Sequence, residues 1–323
     1  MINENAALRN YSKFVCFCTT LLIFAGGMVT STGSGLAVPD WPLSYGSLFP
    51  PMVGGVFYEH GHRMIASFVG VLTVIQAIWL ARSEKRQWVK VLGFCALGAV
   101  ILQGVLGGIT VLFFLPTSIS VLHATLAQTF FVLTIVIAYS LSKERQAREG
   151  KNNRFNKTFI KLVMIFIGLI YVQLILGALM RHTGSGLAVP DFPTIGGYWW
   201  PPSVHDMLYN INDWRFKHGM DPVTMTQVMI HMLHRLGAFF ILLGVCIIHF
   251  LGLKWYKENE LVRGTLVLLD MMLMAQISLG MSVLLTIKEP IITSLHVVNG
   301  AAFLGCSFLL LLRCAPLSLK ELR

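Results

Sequence analysis

The sequence predicts an all-α integral membrane protein, with eight transmembrane helices forming two parallel four-helix bundles related by a pseudo-two-fold axis. Three observations predict it: an apolar composition gathered into eight stretches, basic residues confined to alternate loops, and an internal repeat covering nearly the whole chain.

Of the 323 residues, 55% are hydrophobic and 12% are charged, about half the charge of an ordinary soluble domain. A helix needs roughly 20 mostly apolar residues to cross a bilayer. Eight stretches qualify, near 12–30, 61–81, 89–111, 118–141, 159–180, 228–251, 262–286 and 291–312. Lipid offers no partner to backbone polar groups, so each is read as a helix.

The net charge of +10 would suit nucleic acid, but its distribution excludes that class. Lys and Arg gather at Arg9 and Lys13, at Arg82, Lys85, Arg86 and Lys90, and across 143–161. They recur at Lys254, Lys257 and Arg263, and at Arg313, Lys320 and Arg323. The alternate loops hold almost none. This positive-inside pattern places both termini in the cytoplasm. Neither an Arg-rich leader nor a small-residue cleavage site precedes the first stretch, which points to a bacterial plasma membrane. The six cysteines all fall in spans or at their inner ends, so no disulfide is expected.

Thr-Gly-Ser-Gly-Leu-Ala-Val-Pro-Asp at 32–40 returns letter for letter at 183–191. His62-Arg63 returns as His234-Arg235, and Gln103 and His123 return as Gln276 and His296. The second copy carries an insertion between Asp191 and Gln227. Each repeat holds four spans, an even number, so both halves run the same way through the membrane. The expected domains are 1–150 and 151–323. Glycines within the spans suit close helix packing. Asp40 and Asp191 are read as fixing the outer loops through local turn bonds, and Gln103, Gln173 and Gln276 as bonding between helices.

Ionisable groups inside spans are costly, so each is a functional candidate. His62, His123, His234 and His296 occupy equivalent places, at one depth toward the outer side. Two imidazoles on facing helices can ligate haem iron from both faces, as bundle cofactor sites do. Zinc fits less well, since each half offers only two matched ligands. The repeat pairs His62 with His234 and leaves His60 opposite Met232, so His60 is read as interfacial. Arg63 and Arg235 are possible propionate contacts. Three residues before the ligand, the first half has Glu59 and the second has His231. Residues three apart share a helix face, so Glu59 is expected to face the same site as His62 and to move protons there. His182, His205, His218 and His249 are read as solvated or interfacial.

Glu59-x-x-His62-Arg63, the Gly-Ser-Gly-Leu loop with Pro39-Asp40-Trp41-Pro42, and His123, His234 and His296 resemble the haem A synthase family over essentially the whole chain. The resemblance implies oxidation of the ring-D methyl of haem O to a formyl group by successive hydroxylation, supplying haem A to terminal oxidases. It implies that His62 and His123 flank the substrate haem, with Glu59 as the catalytic carboxylate, and that His234 and His296 ligate a haem B cofactor. The implied partners are haem O and its synthase, a membrane or soluble electron carrier, the lipid bilayer, and a possible second copy of the chain. Some members carry a cysteine pair in the first outer loop, and this chain has none there. Two rival readings are a dihaem electron-transfer cytochrome and a repeat-built transporter. The first leaves Glu59 without a use, and the second leaves four matched histidines unexplained.

Overall fold

Eight long helices dominate the computed structural model, which describes residues 6–148, 155–200 and 203–315. The expected division near 150 and the basic residues Lys151, Arg154, Lys320 and Arg323 lie outside the described residues. In chain order the long helices are α1 (Ala6–Ser31), α2 (Gly55–Ser83), α3 (Gln87–Leu112) and α4 (Thr117–Ser140), then α6 (Lys157–His182), α8 (Met225–Trp255), α9 (Glu260–Leu285) and α10 (Pro290–Cys314). A short α5 (Lys143–Ala147) follows α4, and α7 (Val204–Lys217) precedes α8. Among the described residues, these eight long helices are apolar enough to cross a membrane. The chain is an all-α, multi-pass membrane protein.

The helices match the eight apolar stretches, and all but α4 and α9 run past them at both ends, because hydropathy stops where polar residues begin while the backbone bonding continues. α2 shows why. It starts at Gly55, six residues before the stretch, since Glu59 and His60 on its first turns find partners in the preceding loop.

In the first half α1 packs on α2, α2 on α3, α3 on α4 and α4 on α1; in the second, α6 packs on α8, α8 on α9, α9 on α10 and α10 on α6. Between the halves, α1 meets α10, α4 meets α6, and α4 meets α10. Each half buries its own apolar cluster, around Val15, Leu80 and Ile137 in one and Phe159, Leu266 and Leu310 in the other. Large apolar side chains such as Phe94, Ile101, Ile165 and Phe250 remain on the outside, the surface a lipid solvent calls for.

The repeated loops fold alike. The Asp40 carboxylate accepts from the N–H groups of Tyr45 and Gly46 (2.7 and 2.8 Å), and Asp191 accepts from Gly196 and Gly197 (2.9 Å each). Those donors, Gly46 first and then Tyr45, hold the Asp40 carboxyl below the usual carboxylate range. Burial works the other way on Asp191, yet Thr194 and the two glycine N–H groups bring it below that range too. The insertion of the second half contains α7, whose Met207 and Ile211 pack with Ala188, Val189, Val223 and Val228 into a small cap over the loop. α7 is too short and too polar to register as a span.

Candidate functional site

Each matched histidine stands roughly two turns in from the end of its helix that bears the long loops: His62 on α2, His123 on α4, His234 on α8 and His296 on α10. All four rings are half-buried. Each lies against a glycine of the preceding long helix. A Cβ built on Gly26 would come within 3.0 Å of His62 Cε1, and one on Gly107 within 3.3 Å of His123 Cε1. In the second half the distances are 3.2 Å from Gly177 to His234 and 3.2 Å from Gly280 to His296. Ordinary side-chain contact needs more room than this, so a Cβ at any of the four would push its ring aside by a few tenths of an ångström. Sequence reasoning assigned these glycines to helix packing in general and missed that four of them form one histidine cradle each.

Glutamines one turn before three of those glycines steady the histidine helices. Gln103 Nε2 donates to the His123 carbonyl (2.9 Å). Gln173 Nε2 donates to the His234 carbonyl (2.9 Å) and lies 3.1 Å from its Nδ1. Gln276 Nε2 lies 3.2 Å from His296 Nε2. α1 has Leu22 at this place, so His62 has no such neighbour.

Glu59 is 4% exposed and turns toward the loop. Its carboxylate accepts from Val38 N–H (2.7 Å) and from Arg63 (2.6 Å), and among the described residues it makes no bond with His62. His231, its counterpart, is also buried and lies 3.0 Å from the Ser185 carbonyl through Nδ1. Both residues therefore tie a helix to its repeated loop. Arg63 donates to the carbonyls of Asp40, Leu43 and Val38, and Arg235 to those of Thr194, Val189 and Asp191. Both guanidinium groups thus tie a helix to its repeated loop.

Two further histidines have partners that the sequence did not reveal. His60 is buried at 7% exposure against the outer loop, with Nδ1 2.8 Å from Ser44 Oγ. His249 is partly exposed, and its Nδ1 lies 2.6 Å from Asp270 Oδ2 of α9, at ion-pair distance though outside hydrogen-bond geometry. Asp270 has no equivalent in the first half, where Leu97 takes its place, and that contrast was the available signal. Arg181, at the end of α6, was also passed over. It donates to the Gly27 carbonyl of α1 (2.7 Å) and to Ser31 Oγ.

Among the described residues no three His, Cys, Asp or Glu side chains gather to hold a bare metal ion; the imidazoles come in pairs. A porphyrin supplies the remaining four ligands of its iron, so paired histidines suit haem. The Nδ1 atoms of His62, His123 and His296 are enclosed without a partner, which buried polar atoms seldom are. The rings of His62 and His123, seated against glycine and without a ring hydrogen bond among the described residues, fit a group that fixes them from the other nitrogen.

Fold and site together describe a multi-pass helical membrane protein with four repeat-matched imidazoles in its interior. Residues 52–308 match the COX15-CtaA model, described as cytochrome oxidase assembly protein, and the chain belongs to that family. The match takes in Glu59 and all four histidines. The chain is 25% identical over 317 residues to a protein of Alkalihalophilus pseudofirmus named "Heme A synthase", covering 96% of this chain and 98% of that one. A protein of the same name from Halalkalibacterium halodurans is 25% identical over 299 residues, covering 90% and 91%. One from Bacillus pumilus is 28% identical over 260 residues, covering 79% and 78%.

Proposed function

We propose that this chain is a haem A synthase, an oxidoreductase that converts the ring-D methyl of haem O into a formyl group by successive hydroxylation. The observation that carries this reading is the two pairs of half-buried imidazoles, each ring seated on its own glycine. His62 and His123 bind the substrate haem, and His234 and His296 hold haem B as a resident cofactor, which when bound supplies one-electron chemistry at its iron. Glu59 accepts a proton at a carboxylate oxygen as the methyl is oxidised, after loosening from Arg63 or Val38. The first half, 1–150, is then the catalytic unit and the second, 151–323, the cofactor unit. Exchanging the halves maps the α1–α10 contact onto α6–α4 and leaves α4–α10 unchanged, which supports a pseudo-two-fold relation. Both termini lie on the cytoplasmic side of a bacterial plasma membrane, a reading that the basic clusters support, with the histidines toward the far side and electrons leaving to a separate carrier.

The deciding experiment expresses the chain in cells that make haem O but no haem A, then extracts the haems of the purified protein and identifies them by mass. Haem A or its hydroxylated precursor, beside haem B, is the expected result. Haem B alone, with haem O present in the cells, would favour an electron-transfer cytochrome.

The cradles give a second test. Gly177→Ala places a Cβ 3.2 Å from the His234 ring and is expected to shift the absorption spectrum of the haem B. Gly168→Ala on the same helix meets open space and should leave the spectrum alone, although both changes favour helix by about 1 kcal/mol. Identical spectra would mean that the Gly177 contact does not set the ring.

A further inference from the structure

The repeat is broken at two cations beside the second histidine pair. Arg181 stands where the first half has Thr30, whose hydroxyl bonds only within its own helix, to the Gly26 carbonyl. Lys288 stands where the first half has Leu115. The backbone there is the same in both halves: Phe114 and Leu115 have φ of 57° and 58°, Ile287 and Lys288 of 53° and 63°. The packing is also the same. Leu115 lies against Gly35 (3.2 Å to a built Cβ) as the Lys288 stem lies against Gly186 (3.4 Å). The second half therefore keeps the turn and puts an ammonium at the end of the side chain.

Among the described residues neither cation has a carboxylate partner. Arg181 uses Nη2 alone, on Gly27 and Ser31. The nearest acid in sequence, Glu289, is spent as the cap of α10, accepting from Ile292 N–H at 2.7 Å. Arg215 is close to Lys288 but donates to the carbonyls of Leu187 and Asp221. Burial, and then the charges of Arg215 and Arg181, push the Lys288 ammonium below the usual lysine range. Lys288 is exposed at the mouth of the bundle, and a concave end lined by charges of one sign attracts an anion. Ser31, to which Arg181 donates, lies 3.2 Å from Ser294 Oγ, two residues before His296, and Lys288 stands about two turns above His296 on the loop side.

We propose that Arg181 and Lys288 bind the two propionates of the haem held by His234 and His296, and that this pair makes that haem resident. The inference rests on the haem reading above. Haem presents two carboxylates on one edge, and charge-assisted N–H···O bonds are the strong ones. The first half offers Thr30 and Leu115 at these places, so its haem is held without them and can leave once converted.

The test uses the full-length protein purified with its haem. R181Q/K288Q is compared with wild type for the rate at which haem B passes to excess apomyoglobin and for the haem midpoint potential. Loss at least about tenfold faster and a more negative potential are expected. K288Q alone alters an exposed side chain and should show a smaller acceleration in a normally folded protein, while R181K/K288R should restore retention. Wild-type loss rate and potential in the double variant would overturn the proposal, even with haem A still being made. Wild-type protein that carries no haem B would instead overturn the haem reading itself.

Discussion

His234→Ala is expected to strip haem B from the second half, lowering the haem B recovered per protein by more than about tenfold. The estimate is conservative, since losing a mere supporting group around a metal typically costs 10- to 100-fold in affinity, and here a ligand goes. The substitution also empties the Gly177 cradle and leaves the Gln173 amide without its Nδ1 neighbour. His231→Ala is the control. It removes only the bond to the Ser185 carbonyl, worth about 1–3 kcal/mol in loop anchoring, and the haem should stay. Haem content is read from the extracted pigment per mole of protein. Full retention by His234→Ala would show that the second pair is misassigned.

Glu59→Gln should cut the yield of haem A by about 10²- to 10⁴-fold, the range of a positioned proton-transfer group, while haem B remains on His234 and His296. The glutamine keeps an oxygen for Val38 N–H but no longer offsets the Arg63 charge. Because Glu59 and Arg63 form a largely buried ion pair at 2.6 Å, the variant also loses stability, by up to about 3–5 kcal/mol if the arginine is left uncompensated. Thermal unfolding and product yield must therefore be measured on one sample. A folded Glu59→Gln protein that makes haem A at the normal rate would reduce Glu59 to a loop anchor, the task His231 performs in the other half.

The sequence made legible whatever depends on periodicity and identity. Eight spans followed from hydropathy, and the matched histidines from the repeat, because both are properties of the chain read in order. What it could not give was the direction of a side chain. Glu59 and His62 do share a helix face by spacing, yet the glutamate reaches toward Val38 because an N–H of the repeated loop is there to receive it. Arg63 and Arg235 looked like anion binders by chemistry, and their bonds to the loop carbonyls were not legible. Arg181 was invisible for the opposite reason: it lies where the two copies differ, and a search for matches passes over such places. His249 and Asp270 come together across two helices whose pairing no spacing rule specifies.

The adjacent glycines of α1 carry a consequence of their own. Gly26 faces the His62 ring, while the carbonyl of Gly27 receives Arg181, and its Cα lies so near α10 that a Cβ would sit 3.1 Å from Ser294. Successive residues of one rigid helix thus touch both halves. Any displacement of α1 on filling of the first site would be transmitted to Arg181, and thermodynamic linkage would then require the effect to run equally in reverse. Filling of the second site should then change the affinity of the first for its ligand by the same factor, so that one half reports its occupancy to the other.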